Sequence, residues 1–164
     1  MNIVFTYENM SVGKFDREED YIASKKADYN KKTMKRIAAI AIVVDDYDKA
    51  IDFYTNSLKF DLLEDTVLSE TKRWVRVAPS GSTECSLLLA KAANEEQVSR
   101  VGNQTGGRVF LFLHTDQFDE DLKNLNEQQI AIVRGPIQEE WGRVLVFADL
   151  YGNLWDMIEV PKTR

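Results

Sequence analysis

The sequence predicts an α+β fold made of two βαβββ modules that curl into a cupped mixed sheet. Three observations predict it. Two segments with helical periodicity are each preceded by one strand-like apolar run and followed by three. The order of these elements in residues 34–90 recurs in residues 106–164. The repeat also superposes particular residues: aligning Tyr47 with Phe118 lays Asp45 on Asp116 and Gly81 near Gly152. Two copies are too few for a solenoid; they suit a pseudo-twofold pair of half-barrels.

In module one, residues 34–90, the run IAAIAIVV has strand length and ends at Asp45-Asp46. DYDKAIDFYTNSL then carries Ala50, Ile51, Phe53, Tyr54 and Leu58 at helical spacing, with an Asp at its start as N-cap. FDLLEDTVL, KRWVRVA and TECSLLLA read as three strands, the last two separated by the turn PSGS. Residues 91–105 form the linker. In module two, residues 106–164, GRVFLFLHT is the first strand. DQFDEDLKNLNEQ is a helix with Phe118, Leu122 and Leu125 on one side. IAIVRGPI, RVLVFAD and NLWDMIEV are three strands, with the turn DLYGN before the last. Residues 1–33 are polar and poor in branched apolar side chains. They read as an extension outside the domain 34–164, either mobile or docked on a partner subunit.

Composition bounds the function. A chain of 164 residues, 44% hydrophobic and 29% charged, suits one soluble globular domain. The net charge of -6 argues against a nucleic-acid surface, because phosphate binding needs a basic stripe. No apolar run is long enough to span a bilayer. MNIVFTYENM lacks the apolar stretch of a signal peptide, and Cys85, the one cysteine, has no intrachain partner; both lead to the expectation of a cytoplasmic protein. No phosphate loop, dinucleotide fingerprint or serine-nucleophile motif is present.

Alternation along strands divides each into two faces. Ile40, Ile42 and Val44, with counterparts Val109, Leu111 and Leu113, suit a face covered by a helix. Ala39, Ala41 and Val43, against Phe110, Phe112 and His114, then belong to an inner face. Extending the parity adds Trp74 and Arg76, then Arg143, Leu145 and Phe147, then Cys85 and Leu87, and finally Asp156 and Ile158. Apolar walls with a few orienting polar groups are how small-molecule sites are built.

An arginine on an inner strand face is costly unless it meets a carboxylate or a ligand. Arg76, Arg108 and Arg143 therefore mark the pocket. Together with Trp74, Phe110, Phe112, Trp141 and Phe147 they lead us to expect an anionic or polarised organic ligand with a flat apolar part. Gln104, in VGNQTGGR, either belongs to a flexible crossover or gives a hydrogen bond to the bound molecule from a lid edge. Asp156 interrupts the apolar strand LWDMI, where an unpaired carboxylate is costly. It either meets Arg76 or Arg143 or contacts the ligand. His114 is a rim residue or a general base, which makes His114 and Asp156 the catalytic candidates. Cys85 is a small apolar side chain unless a neighbouring base activates it.

IAIVVDDYDKAIDFYTNSLKF, the ending DLYGNLWDMIE and the duplicated element order resemble the vicinal oxygen chelate superfamily, the group of glyoxalases, bleomycin-resistance proteins and extradiol dioxygenases. The resemblance covers residues 34 to about 161. It implies paired βαβββ modules, a cup, often a homodimer, and His or Glu metal ligands at matching strand positions. Here the usual first-strand His falls on Ala39 and its repeat counterpart on Phe110. The late-strand carboxylate falls on Asp156, and its module-one counterpart on Cys85, or on Ser86 if the register slips by one. Methyl and phenyl groups offer a metal no lone pair. The resemblance therefore implies a small-molecule-binding homodimer with an incomplete metal site and no cofactor. Its alternative is a metal-dependent lyase, isomerase or dioxygenase whose divalent ion is held by shifted ligands drawn from Asp156, Cys85 and His114. A third reading is a dimer whose cup is filled by its own side chains or by residues 1–33.

Overall fold

The computed structural model describes residues 35–82 and 84–160. The extension read in residues 1–33 lies outside them. One compact unit begins at Ile37.

The first strand, β1 (Ala39–Val44), runs into Asp46, whose extended backbone and carboxylate form an N-cap. Asp46 Oδ1 accepts from the amides of Asp48 at 3.0 Å and Lys49 at 3.1 Å, satisfying two donors that the first helical turn leaves open. Helix α1 (Tyr47–Asp52) continues as a π turn over Phe53–Ser57, closed by Leu58 N–H to Phe53 O at 3.0 Å. The single helix expected over 46–58 is thus two segments with different pitch. Strands β2 (Phe60–Val67), β3 (Arg73–Pro79) and β4 (Ser86–Lys91) complete module one. The linker carries the short helix α2 (Glu95–Val98), capped by Asn94. Module two repeats the order with β5 (Val109–Thr115), α3 (Phe118–Glu127), β6 (Ile132–Glu139), β7 (Gly142–Ala148) and β8 (Leu154–Glu159).

Each module forms a four-stranded mixed sheet, ordered β1-β4-β3-β2 and β5-β8-β7-β6. The outer pairs β1/β4 and β5/β8 are parallel, and the remaining neighbours are antiparallel. The parallel pair is what a helical crossover after the first strand allows.

The helix-side faces are apolar and buried. Ile42, Val44, Val75, Val77, Leu87 and Leu89 line it in module one, and Leu145, Phe147, Trp155 and Met157 in module two. They join in one core. Tyr54 and Phe60 bring their rings to 6.2 and 5.9 Å from Trp155, which stacks on Phe147 at 5.8 Å. Burying side chains of this size stabilises by roughly 1.5–3 kcal/mol each, so this aromatic group joins the halves strongly.

Leu145 and Phe147 pair with Met157 and Trp155, and cross-strand partners share a face. Leu145 and Phe147 therefore lie on the helix side, not on the inner face that strand parity assigned them. Leu87 is likewise on the helix side, opposite Val77.

Arg143 shares that side. Its guanidinium lies 4.6 Å from the centre of the Phe118 ring and pairs with Asp119 at 2.6 Å and Glu159 at 2.8 Å. Module one contains the same assembly. The Arg73 guanidinium is 5.3 Å from the Tyr47 ring centre, pairs with Asp48 at 2.6 Å, and forks onto Asp65. Arg143 is thus the counterpart of Arg73, and it clamps a helix start to a sheet.

The linker is pinned rather than free. β1 is an edge strand of its sheet. The Gln104 side chain caps it like a peptide group: Nε2 donates to Val43 O at 3.0 Å and Oε1 accepts from Val43 N at 3.4 Å. Such a cap blunts an edge that would otherwise template further pairing. Gly102 has φ +72°, and a Cβ there would lie 1.9 Å from Tyr151 O.

Candidate functional site

The face of each sheet opposite the helices is the candidate site. In module one, register places Ala39 beside Ser86 and Ala41 beside Leu88, with Arg76 across from Leu88. Trp74, two residues before Arg76, shares its face and is 38% exposed. The Arg76 Nε donates to Ser86 Oγ at 3.2 Å, and Nη1 lies 3.5 Å from Glu64 Oε2. Ser86 Oγ in turn donates to Ala38 O at 3.1 Å. Arg76 is therefore oriented by neighbours that leave part of its fork available.

In module two, Phe112 lies beside Asp156, and His114 beside Ile158. Val146 and Val144 flank Asp156 and Ile158 from β7. Phe112 is 65% exposed, a large apolar surface for a strand face. The Asp156 side chain is only 15% exposed, with Oδ2 3.8 Å from an Arg134 guanidinium nitrogen. Its other oxygen, Oδ1, is buried without a hydrogen-bond partner. The salt bridge expected with Arg76 or Arg143 is thus replaced by a loose one with Arg134.

Of the residues singled out in the sequence, the structure brings Trp74 and Arg76 together on one open face, and Phe112, His114 and Asp156 on the other. The others stand elsewhere. Arg143 is engaged with Asp119 and Glu159 on the helix side. Phe110, beside an irregularity between Val109 and Leu111, packs against the core. Trp141 occupies the β6–β7 turn, and Arg108 is exposed before β5, where its carbonyl accepts from Thr105 Oγ1 at 2.6 Å. Cys85 precedes β4, one residue before Ser86, which pairs with Ala39 on the open face. Gln104 spends its amide on Val43 and on Arg100 O at 2.9 Å.

Sequence reasoning missed Arg134 on these faces and named Ser86 only as the alternative to Cys85 if the register slips by one. It also missed Asp149, a buried carboxylate at the junction of the modules. Asp149 Oδ1 accepts from the amides of Tyr151 and Asn153 at 3.0 and 2.9 Å. Oδ2 accepts from Tyr54 Oη at 2.8 Å and Asn153 Nδ2 at 2.9 Å. Burial first, and the Asp149 charge second, push the Tyr54 phenol well above its ordinary range. The DLYGN motif carried the signal, since Asp bonding to amides two residues on is a turn habit.

The positions that the family resemblance marks for metal ligands hold Ala39, Phe110, Asp156 and either Cys85 or Ser86. They offer one carboxylate and either a thiol or a hydroxyl, the hydroxyl already shared between Arg76 and Ala38. Among the described residues, no three His, Cys, Asp or Glu side chains converge as a metal site would require. Among them, too, no helix is long and apolar enough to cross a membrane.

Comparison with known proteins matches residues 36–157 to the model of the Glyoxalase/Bleomycin resistance protein/Dioxygenase superfamily. An uncharacterised protein of Shewanella frigidimarina is 56% identical over 125 residues, 76% of this chain and 93% of that protein. Among solved structures, TnmS3, an antibiotic binding protein from Streptomyces sp. CB03234, is 31% identical with a TM-score of 0.62, over 78% of this chain and 98% of that one. UcmS2 is 25% identical with a TM-score of 0.67, over 77% and 98%.

Proposed function

The chain belongs to the Glyoxalase/Bleomycin resistance protein/Dioxygenase superfamily, and from that premise we propose that it binds a flat, polarised organic molecule against its open sheet faces without a metal ion. The observation that carries this reading is the solvent-facing aromatic surface opposite the helices, with Trp74 and Phe112 on strand faces that the chain's own core does not cover. Apolar walls with a few fixed polar groups suit a small ligand. Arg76, oriented by Ser86 and Glu64, supplies the group for an anionic or acceptor end of that ligand. The similarity to an antibiotic binding protein supports sequestration, which needs no reaction.

The same surfaces support a homodimer. The helix sides of both modules are already shared within one chain, so each open face lacks a wall that a second copy can supply. The donor set at the marked positions supports binding over metal catalysis, because Ala39 and Phe110 have no lone pair to give.

The test is titration with 2-naphthoate, a flat aromatic carboxylate, followed by tryptophan fluorescence and thermal shift. We expect quenching, a rise in melting temperature, and loss of most affinity in Arg76→Met. Unchanged fluorescence and melting temperature at millimolar 2-naphthoate would count against the reading.

A further inference from the structure

We propose that Asp156 is the anchor for a hydrogen-bond donor on the ligand, so that the molecule held on the module-two face carries a hydroxyl or N–H group on its flat apolar framework. This rests on the binding function proposed above and specifies its ligand.

The inference starts from an imbalance. Asp156 sits in the middle of β8, between the buried Trp155 and Met157 that face the core. Its own side chain takes the opposite face and is largely buried there. Buried oxygens in folded proteins nearly always find a donor. Asp149, the other buried carboxylate of this module, accepts on both oxygens. Asp156 Oδ1 has no partner.

The neighbours cannot supply one. Phe112 stands directly beside it in β5 and Val146 in β7, and neither side chain has a donor. Arg134 approaches the other oxygen only, at 3.8 Å, with its side chain more than half exposed. On the same face, Phe112 is Asp156's neighbour in register and is 65% exposed. A ring resting on Phe112 would place a substituent within reach of Asp156, and a donor there would complete the oxygen's hydrogen bonding. A hydrogen bond to a carboxylate is stronger than one between neutral groups. It also discriminates sharply, because a ligand lacking the donor leaves the oxygen buried and unmatched.

The same imbalance predicts how the free protein behaves. An unmatched buried carboxylate destabilises the fold, so replacing it with an apolar side chain of similar size should not weaken it. An anchor kept at the expense of stability is the pattern of a binding residue, not a structural one.

The experiment compares 2-naphthol, which has the donor, with 2-methoxynaphthalene, which has the same rings and no donor. Binding is measured by calorimetry and fluorescence on the full chain, on Asp156→Asn and on Asp156→Leu. We expect wild type to prefer 2-naphthol by about ten- to a hundredfold. In Asp156→Leu the preference should vanish while 2-methoxynaphthalene affinity is retained, and the melting temperature without ligand should equal or exceed that of wild type. Asp156→Asn, which keeps an acceptor oxygen and the side-chain volume, should fold and retain an intermediate preference. If wild type binds both compounds equally, the anchor is overturned and the binding function stands. A large fall in the melting temperature of both variants would make Asp156 structural and also overturn it. If neither compound binds, nor 2-naphthoate, the anchor and the binding function fall together.

Discussion

The Tyr54 hydroxyl donates to Asp149 Oδ2 at 2.8 Å, joining the π turn of module one to the turn before β8 in module two. Both groups are buried. Tyr54→Phe should therefore leave a buried carboxylate one donor short and lower stability by about 1–3 kcal/mol. The whole domain should unfold in one transition at a lower denaturant midpoint. An unchanged midpoint would show that Asp149 is satisfied without Tyr54.

Alkaline stability follows from the same bond. The folded Tyr54 phenol lies well above its ordinary value of 10.0, so the folded state resists its ionisation. The stability this contributes is fully present below pH 10 and is lost as pH rises beyond it. Wild type should weaken above pH 10 more steeply than Tyr54→Phe, as chemical denaturation across pH 8–11.5 would reveal.

The acid side is set by the arginine clamps. Glu159 is held down to about 2 from an ordinary 4.5, chiefly by its hydrogen bond to Arg143. Asp65 is lowered by Arg73 in the same manner. A depressed carboxylate contributes stability that is complete above its unfolded value and is lost as pH falls toward the folded one. Stability should therefore decline between about pH 4.5 and 2. In Arg143→Met, the Glu159 carboxyl carbon should titrate near its ordinary value by NMR.

The two arginines separate by role. Arg143→Met should lower the melting temperature and leave 2-naphthoate affinity unchanged, because Arg143 lies on the helix side. Arg76→Met should do the opposite, weakening affinity by about tenfold or more at small cost in melting temperature. Equal effects of both substitutions on affinity would remove the distinction.

Gly102→Ala tests the pinned linker. The added Cβ would meet Tyr151 O at 1.9 Å on a backbone with φ +72°. A loss of about 3 kcal/mol is expected, measured by urea denaturation. A neutral result would mean that the linker shifts freely away from Tyr151.

Much of the fold was legible in the sequence because period and length are strong signals: each of the eight strands among the described residues has a counterpart in a strand-like run. Face assignment inside one strand was legible too, as with Ile42 and Val44, or Phe112 and His114. Carrying parity from strand to strand failed because it needs the register, which irregularities shift. β2 slips between Leu62 and Glu64, and β6 slips on both sides of Arg134. Arg143, Leu145 and Phe147 were placed on the wrong face for that reason, and Arg134 was overlooked. Gln104 illustrates a different limit. Its pairing with Val43 spans 61 residues and leaves no local pattern.

The doubled clamp has a consequence for how such a protein changes over time. Arg73 with Tyr47 and Asp48, and Arg143 with Phe118 and Asp119, do one job twice, so a duplicated ancestor's scaffold is still readable in both halves. On the opposite faces the halves have drifted apart: Ala41 against Phe112, Leu88 against Asp156. Folding constrains one side of each sheet and leaves the other at liberty. A protein so divided can change the surface it presents by substitutions on a single face, without renegotiating the architecture beneath.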